Sequence, residues 1–129
     1  MPTALISDIH GNIDALQVVL ADIDRRQVDR IICLGDIIGY GPNPRECLDM
    51  VMQRCEWSLM GNHDFAVLYE PTSFNLSAEQ AAFWTRRQLE LETDAERRHA
   101  RWDCILKSIC KKGWKHSVHR GKCTYCNSC

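Results

Sequence analysis

The sequence predicts an α/β fold in which parallel strands are covered by helices. Three short apolar runs, each followed by a glycine or a polar cluster, alternate with segments whose apolar residues recur every three or four positions. Short apolar runs are typical of buried parallel strands, and the wider spacing is typical of amphipathic helices. Strands and helices that alternate in this way, joined by right-handed crossovers, form a parallel sheet with helices packed on it.

Each element has a local signal. We predict strands at residues 4–7, 30–34 and 57–60, and helices at residues 13–26, 45–53, 77–91 and 93–106. Asn12 can cap the first helix, and Ser77 begins a capping-box pattern. Residues 39–44 contain two glycines and two prolines, which predict a loop, and residues 65–76 are predicted to be irregular.

The chain changes character after Asp103. Residues 1–103 carry 10 Arg, no Lys and all 17 acidic residues, whereas residues 104–129 carry 5 Lys, 1 Arg and no acidic residue. The two parts therefore have net charges of −7 and +6, and five of the eight cysteines lie in the second part. We predict a domain at residues 1–103 and a basic, cysteine-rich tail at residues 104–129. A frameshift or premature ending explains this break better than a natural basic tail, which stays the alternative.

Composition narrows the class of protein. The net charge of −1 argues against a nucleic-acid footprint over the whole chain. The longest apolar stretches are far shorter than the roughly 18 residues of a membrane helix. The N-terminus lacks a basic region followed by an apolar run, so it does not predict a secretory signal. We therefore expect a cytoplasmic protein with no membrane partner and no specific nucleic-acid partner.

Polar side chains follow all three strands, where the strands end. Asp8 and His10 follow the first strand, Asp36 follows the second, and Asn62 and His63 follow the third. The carboxyl ends of parallel strands meet at one edge of a sheet, where ligands bind. Carboxylate oxygens and imidazole nitrogens are ligands that Mn, Fe, Zn, Co and Ni accept. The spacing of Asp8 and His10 predicts that both lie on one side of an extended segment, and Asp36 could bridge two ions.

Three motifs carry a resemblance to a known family. They are Ser-Asp-Ile-His-Gly-Asn at residues 7–12, Gly-Asp-Ile-Ile-Gly-Tyr-Gly-Pro at residues 35–42, and Gly-Asn-His-Asp at residues 61–64. In this order, each behind an apolar strand, they resemble the first motifs of the calcineurin-like metallophosphoesterases, in the small bacterial and archaeal phosphodiesterase or phosphatase branch. The resemblance covers roughly residues 1–103. It implies the N-terminal half of an αββα sandwich and a metal-dependent hydrolase of small phosphoester substrates.

The resemblance also implies a two-metal site. Asp8 and His10 would bind a first divalent ion, Asp36 would bridge both ions, and Asn62 would bind the second. The ions would be Mn, Fe, Zn, Co or Ni, and this chain is expected to hold only one if its second site is incomplete. Two such ions lower the pKa of a bound water and absorb charge on the phosphoryl oxygens.

The remaining motif residues are implied to act on the substrate. His63 would stabilise or protonate the leaving oxygen, and Asp64 would orient His63 by accepting its other ring hydrogen. Asn12, Gly39 and Tyr40 would border the substrate.

The chain departs from the family pattern after the third motif. A later histidine for the second metal, a closing Gly-His-x-His motif and the strands of the second half-sandwich are not found in the sequence. We therefore expect a truncated domain with weak catalysis or none. The alternative is a noncatalytic remnant that binds metal or assembles with another chain. Such assembly includes self-association through the exposed sheet.

Two interpretations of residues 104–129 stay open. His116 and His119, followed by a Cys-x2-Cys pair at Cys123 and Cys126, are ligands that zinc accepts in tetrahedral sites. The favoured interpretation is an out-of-frame, disordered tail, because no core would form around so short a spacing.

Overall fold

The structure is a computed structural model that describes residues 1–90. Its elements are β1 (Thr3–Ile6), α1 (Ile13–Arg25), β2 (Arg30–Cys33), α2 (Pro44–Arg54), β3 (Trp57–Ser58), α3 (Asn62–Leu68) and α4 (Leu76–Glu90). The predicted α/β class, with parallel strands and covering helices, is confirmed. The helix predicted at residues 93–106, the domain boundary at residue 103 and the basic tail lie outside the described residues. Of the helices within residues 1–90, none combines the length and apolarity needed to cross a bilayer.

The strands form a parallel sheet in the order β1-β2-β3. In its register Leu5 pairs with Ile32, and Cys33 pairs with Ser58. Parallel crossovers are generally right-handed, so two that advance in the same direction place α1 and α2 on one face of the sheet, where the two helices contact each other. The carboxyl ends of all three strands consequently meet at one edge.

The core lies between the sheet and the helices and extends into the loop after β2. Ile37 and Ile38 in that loop are 4% and 1% exposed, so the loop is anchored by two buried side chains. The buried residues that pack with them from the strands and helices include Leu16, Leu20, Ile23, Ile31, Cys33, Cys47, Leu48, Val51, Ala66 and Val67. Because Asp36 directly precedes this anchored pair, the core also fixes the position of its backbone.

Helix α3 occupies a segment whose second part, from Phe65, is predicted to be irregular, and that prediction is wrong for residues 65–68. The helix is capped at its start, where the Gly61 N–H donates to Asp64 Oδ2 over 2.9 Å and the Phe65 N–H donates to the Gly61 carbonyl over 3.0 Å. It is buried through Ala66 and Val67, each 1% exposed. A helix this short depends on such contacts, since its own pattern is too brief to be stable.

Two other boundaries differ from the predicted ones. Helix α4 is capped by Asn75, whose Oδ1 accepts from the Ala78 N–H over 2.9 Å, so the predicted capping box at Ser77 does not form. Strand β3 ends at Ser58, two residues before the predicted end, although the Leu59 N–H still donates to the Cys33 carbonyl over 2.8 Å. The start of α4 is thus set by a local side-chain cap one residue earlier than the helix start that the sequence predicts.

Candidate metal centre

Backbone hydrogen bonds hold the loops after β1 and β2 against each other. The His10 N–H donates to the Asp36 carbonyl over 2.9 Å, and the Gly11 N–H donates to the Ile37 carbonyl over 2.8 Å. From the other direction, the Gly41 N–H donates to the His10 carbonyl over 2.8 Å. Strand pairing therefore continues past the strand ends and fixes the polar side chains of both loops.

Asp8, His10 and Asp36 form one cluster. Each offers a ligand atom, and these three atoms lie within 4.8 Å of one another. His10 Nε2 is 3.7 Å from Asp8 Oδ1, and Ser7 Oγ donates to the other Asp8 oxygen over 2.5 Å. Two carboxylates and one imidazole form a donor set suited to a borderline divalent ion. The residues that the sequence assigned to the first metal are thus brought together.

One contact of the His10 ring bears on its tautomer. Its Nδ1 lies 3.4 Å from the Ile38 carbonyl oxygen, which can only accept a hydrogen bond. A hydrogen bond at this contact requires the tautomer with the proton on Nδ1, in which the lone pair is on Nε2. Nε2 is the atom that faces Asp8, so in that tautomer the ring presents a metal-binding lone pair to the cluster.

The cluster residues have left-handed backbones. The φ angles of Asp8, His10 and Asp36 are 55°, 47° and 54°. The expectation that Asp8 and His10 lie on one side of an extended segment is wrong; the left-handed turns bring their side chains together instead. Non-glycine residues in this region are uncommon and cost free energy, and they cluster at functional sites. The interlocked loop hydrogen bonds hold these residues in place.

The third loop packs on Asp36. The His63 N–H, in the first turn of α3, donates to Asp36 Oδ1 over 2.8 Å. A Cβ at Gly61 would overlap the same carboxylate oxygen, so only glycine permits this approach. Asn62 lies between Gly61 and His63 in the sequence and is exposed. The predicted second-metal ligand is therefore adjacent to the cluster, at the start of α3.

Asp64 fastens α3 to the loop after β2. Its Oδ1 accepts from the N–H groups of Ile37 and Ile38 over 2.9 and 3.0 Å, and its Oδ2 accepts from Gly61. Burial raises the pKa of the Asp64 carboxyl to about 6. The backbone N–H groups that donate to it act in the opposite direction and lower the pKa. The hydrogen bonds within residues 1–90 give Asp64 backbone partners and not the His63 ring, so the expected orienting bond does not form.

Aromatic rings surround His63. The ring centroid of His63 lies 4.8 Å from that of His10, 4.7 Å from that of Tyr40 and 4.7 Å from that of Phe74. Burial, followed by the neighbouring His10, lowers the pKa of His63 below its usual value, while nearby carboxylates raise it. Phe74 was missed by the sequence reasoning, since no motif includes it. The one sequence feature that could have identified Phe74 is that it is an aromatic residue within a segment predicted to be irregular.

The residues predicted to border the substrate lie around this edge. Tyr40 is 52% exposed and its ring lies 5.3 Å from that of His10. Gly39 has a φ of 96°, and a Cβ there would come within 3.1 Å of His63 Nδ1. Asn12 caps α1 as predicted, with its Oδ1 accepting from the Ala15 N–H over 3.1 Å. Gly39 and Tyr40 thus contact the histidines, and Asn12 is held at the start of α1.

Comparisons with known proteins give a consistent result. A family model described as calcineurin-like phosphoesterase matches residues 1–120. An uncharacterized protein of Methanocaldococcus jannaschii is 44% identical over 91 residues, which cover 69% of this chain and 37% of that protein. A symmetrical bis(5'-nucleosyl)-tetraphosphatase of Sodalis glossinidius is 30% identical over 137 residues, covering 87% of this chain and 49% of that protein.

A solved structure shares the fold. The crystal structure of a metallophosphoesterase from Sphaerobacter thermophilus matches with a TM-score of 0.57 and 41% sequence identity, over 78% of this chain and 40% of that chain. The described elements match the N-terminal part of that fold. The chain spans half or less of the length of the relatives named here.

Proposed function

Because the chain belongs to the calcineurin-like phosphoesterase family, as its motifs predict, we propose that it is a metal-dependent phosphoester hydrolase. The cluster of Asp8, His10 and Asp36 carries the proposal, because it places two carboxylates and one imidazole together where the parallel strands end. These atoms would hold the first divalent ion. Of the metals that accept such donors, Mn is the one to test first.

We propose a second ion between Asp36 and Asn62. Asp36 Oδ1 accepts the His63 N–H, and the carboxylate keeps further lone pairs on its two oxygens with which it could bind two ions. Asn62 is exposed and begins the helix that packs on Asp36, which supports its role as a ligand. When bound, a pair of such ions activates water and neutralises charge on the phosphoryl group.

The chain's own residues would serve the leaving group and the substrate. The lowered pKa of His63 favours a neutral ring near pH 7, and a neutral imidazole still carries one N–H. We propose that this N–H is donated to the leaving oxygen. Tyr40, half exposed beside both histidines, would contact the group attached to that oxygen. Gly39, which has no side chain, would leave space for that group. Asn12 would contact the substrate from the start of α1.

The substrate class is proposed from the relatives. The similar Sodalis protein is named a symmetrical bis(5'-nucleosyl)-tetraphosphatase. Dinucleoside tetraphosphates are therefore the first natural substrates to test. A cytoplasmic location, self-association through the sheet and the absence of a specific nucleic-acid partner stay predictions.

We further propose that this chain alone is a weak catalyst. The family resemblance implies a closing Gly-His-x-His motif with further histidine ligands, and the later histidines of this chain, at residues 99, 116 and 119, do not form that motif. Fewer ligands lower the affinity for an ion, and the second ion would be affected most. A noncatalytic protein that binds one ion is the competing function.

Metal binding and turnover test these proposals together. Bound Mn is counted by elemental analysis, and hydrolysis of bis-p-nitrophenyl phosphate is measured for the full chain, for Asp36→Asn and for Asp29→Asn. Asp29 is an exposed carboxylate in the turn before β2 and makes the matched control. We expect Asp36→Asn to lose metal affinity by at least ~10-fold and to lose turnover, with the control unchanged. One bound ion without turnover would favour the noncatalytic function, and no bound ion would refute both.

A further inference from the structure

We propose that Phe74, in the segment between α3 and α4, is a positioning residue that holds the His63 imidazole beside the Asp8–His10–Asp36 cluster. The inference rests on the proposed function, since it concerns the group that would donate to the leaving oxygen. The centroid of the Phe74 ring lies 4.7 Å from that of His63, and the two planes are inclined by 47°.

The need for such a residue follows from the hydrogen bonds of His63. Its backbone N–H donates to Asp36, but within residues 1–90 its ring nitrogens have no hydrogen bond. The carboxylate next in sequence, Asp64, is occupied by three backbone N–H groups. The orientation of the imidazole is therefore set by the rings that pack against it.

Among those rings, Phe74 is the one that the core supports. It is partly buried and packs against the hydrophobic core, whereas Tyr40 is 52% exposed in a loop. Tyr40 also has a φ of 63°, in the left-handed region. A side chain that already packs on the core has little conformational freedom left, so it can hold a neighbouring ring in place at a lower entropic cost than an exposed side chain can.

The backbone of Phe74 is also held. The next residue, Asn75, caps α4 through its side chain, and its carbonyl accepts from the Glu79 N–H over 3.0 Å. A residue before a helix cap often packs on the fourth helical residue, but that residue here is Glu79, which is not apolar. The Phe74 ring packs on His63 instead. Helix α4 thereby sets the position of His63 through Phe74.

Leaving-group dependence tests the proposal in the full chain with Mn. Bis-p-nitrophenyl phosphate has a good leaving group, whose developing charge needs little stabilisation, whereas diphenyl phosphate has a poor one. Removing one positioned hydrogen-bond donor to a developing oxyanion costs ~100-fold or more in kcat. We expect Phe74→Leu to lower kcat at least ~10-fold more on diphenyl phosphate than on the nitrophenyl ester. Phe83→Leu, an exposed phenylalanine of α4, should leave the ratio unchanged. Equal losses on both esters would overturn the positioning role.

A second measurement does not depend on activity. In NMR spectra of the metal-free chain, the imidazole C–H signals of His63, assigned by their loss in His63→Gln, should carry a ring-current shift from Phe74. We expect Phe74→Leu to remove that shift, and Phe74→Tyr to retain it together with the wild-type kcat ratio. Unchanged His63 signals in Phe74→Leu would overturn the proposal. If the wild-type chain hydrolyses neither ester, the proposed function fails, while the NMR result still decides the role of Phe74.

Discussion

Replacing Arg86 with methionine should loosen α3, the helix that carries Asn62 and His63. The Arg86 side chain reaches from α4 to the carbonyl end of α3. Its Nε donates to the Val67 carbonyl over 2.7 Å, and a terminal nitrogen donates to Ala66 over 3.0 Å and to Tyr69 over 2.6 Å. These carbonyls lie at or near the end of the helix, where intrahelical partners are lacking. Methionine keeps much of the apolar stem and removes every donor.

The magnitude follows from the burial of each hydrogen bond. The bonds to Ala66 and Val67 are partly buried, and losing each should cost about 1–1.5 kcal/mol. The bond to Tyr69 is exposed, so water replaces it at a cost of about 0.5 kcal/mol. We expect the free energy of unfolding to fall by about 3 kcal/mol. With a urea slope of ~1.5 kcal/mol per molar, the unfolding midpoint should fall by about 2 M.

Urea unfolding of the metal-free chain, followed by circular dichroism, measures this change. Arg87→Met is the matched control, because Arg87 is the next residue of α4 and is exposed. Its unfolding free energy should change by less than ~0.5 kcal/mol. If Arg86→Met and Arg87→Met have the same midpoint, the guanidinium does not stabilise α3 and the reasoning is refuted.

Three further predictions concern other parts of the chain. Thr85→Val should raise the unfolding free energy by about 1 kcal/mol, because the Thr85 hydroxyl is fully buried without a hydrogen-bond partner in residues 1–90. Gly61→Ala should weaken Mn binding at least ~10-fold in calorimetry, because the new methyl group would displace the Asp36 carboxylate. Cys47 and Cys55 should resist alkylation at pH 8, since burial raises their thiol pKa values to about 11 and about 12, and should react faster as the pH rises toward those values.

A different result would contradict each of these three predictions. A Thr85→Val variant less stable than wild type would mean that the hydroxyl has a partner. Unchanged Mn affinity in Gly61→Ala would mean that Asp36 is not a ligand. Peptide mass spectrometry distinguishes Cys47 and Cys55 from the cysteines of residues 104–129. Alkylation of either at pH 8 as fast as in urea would contradict the raised pKa values.

The sequence alone was enough to predict the class of fold and the residues that form the Asp8–His10–Asp36 cluster. Apolar runs and helical spacing are local patterns, so they locate β1, α1, β2 and α2 to within a residue or so at most ends. Asp8, His10 and Asp36 were predictable because parallel strand ends must meet at one edge, whatever the loops do. The chemistry of the ligands is a property of the residue types themselves.

The tertiary structure decided how those residues are held. Helix α3 depends on Asp64 bonding Ile37 and Ile38, which lie 27 and 26 residues earlier, and on the guanidinium of Arg86. Phe74 acquires its contact with His63 only when α4 packs against α3. Such contacts join residues that are distant in sequence, so they stabilise the chain only after folding has brought those residues together. Local pattern therefore predicts which polar residues follow the strands, while packing determines their backbone angles and neighbours.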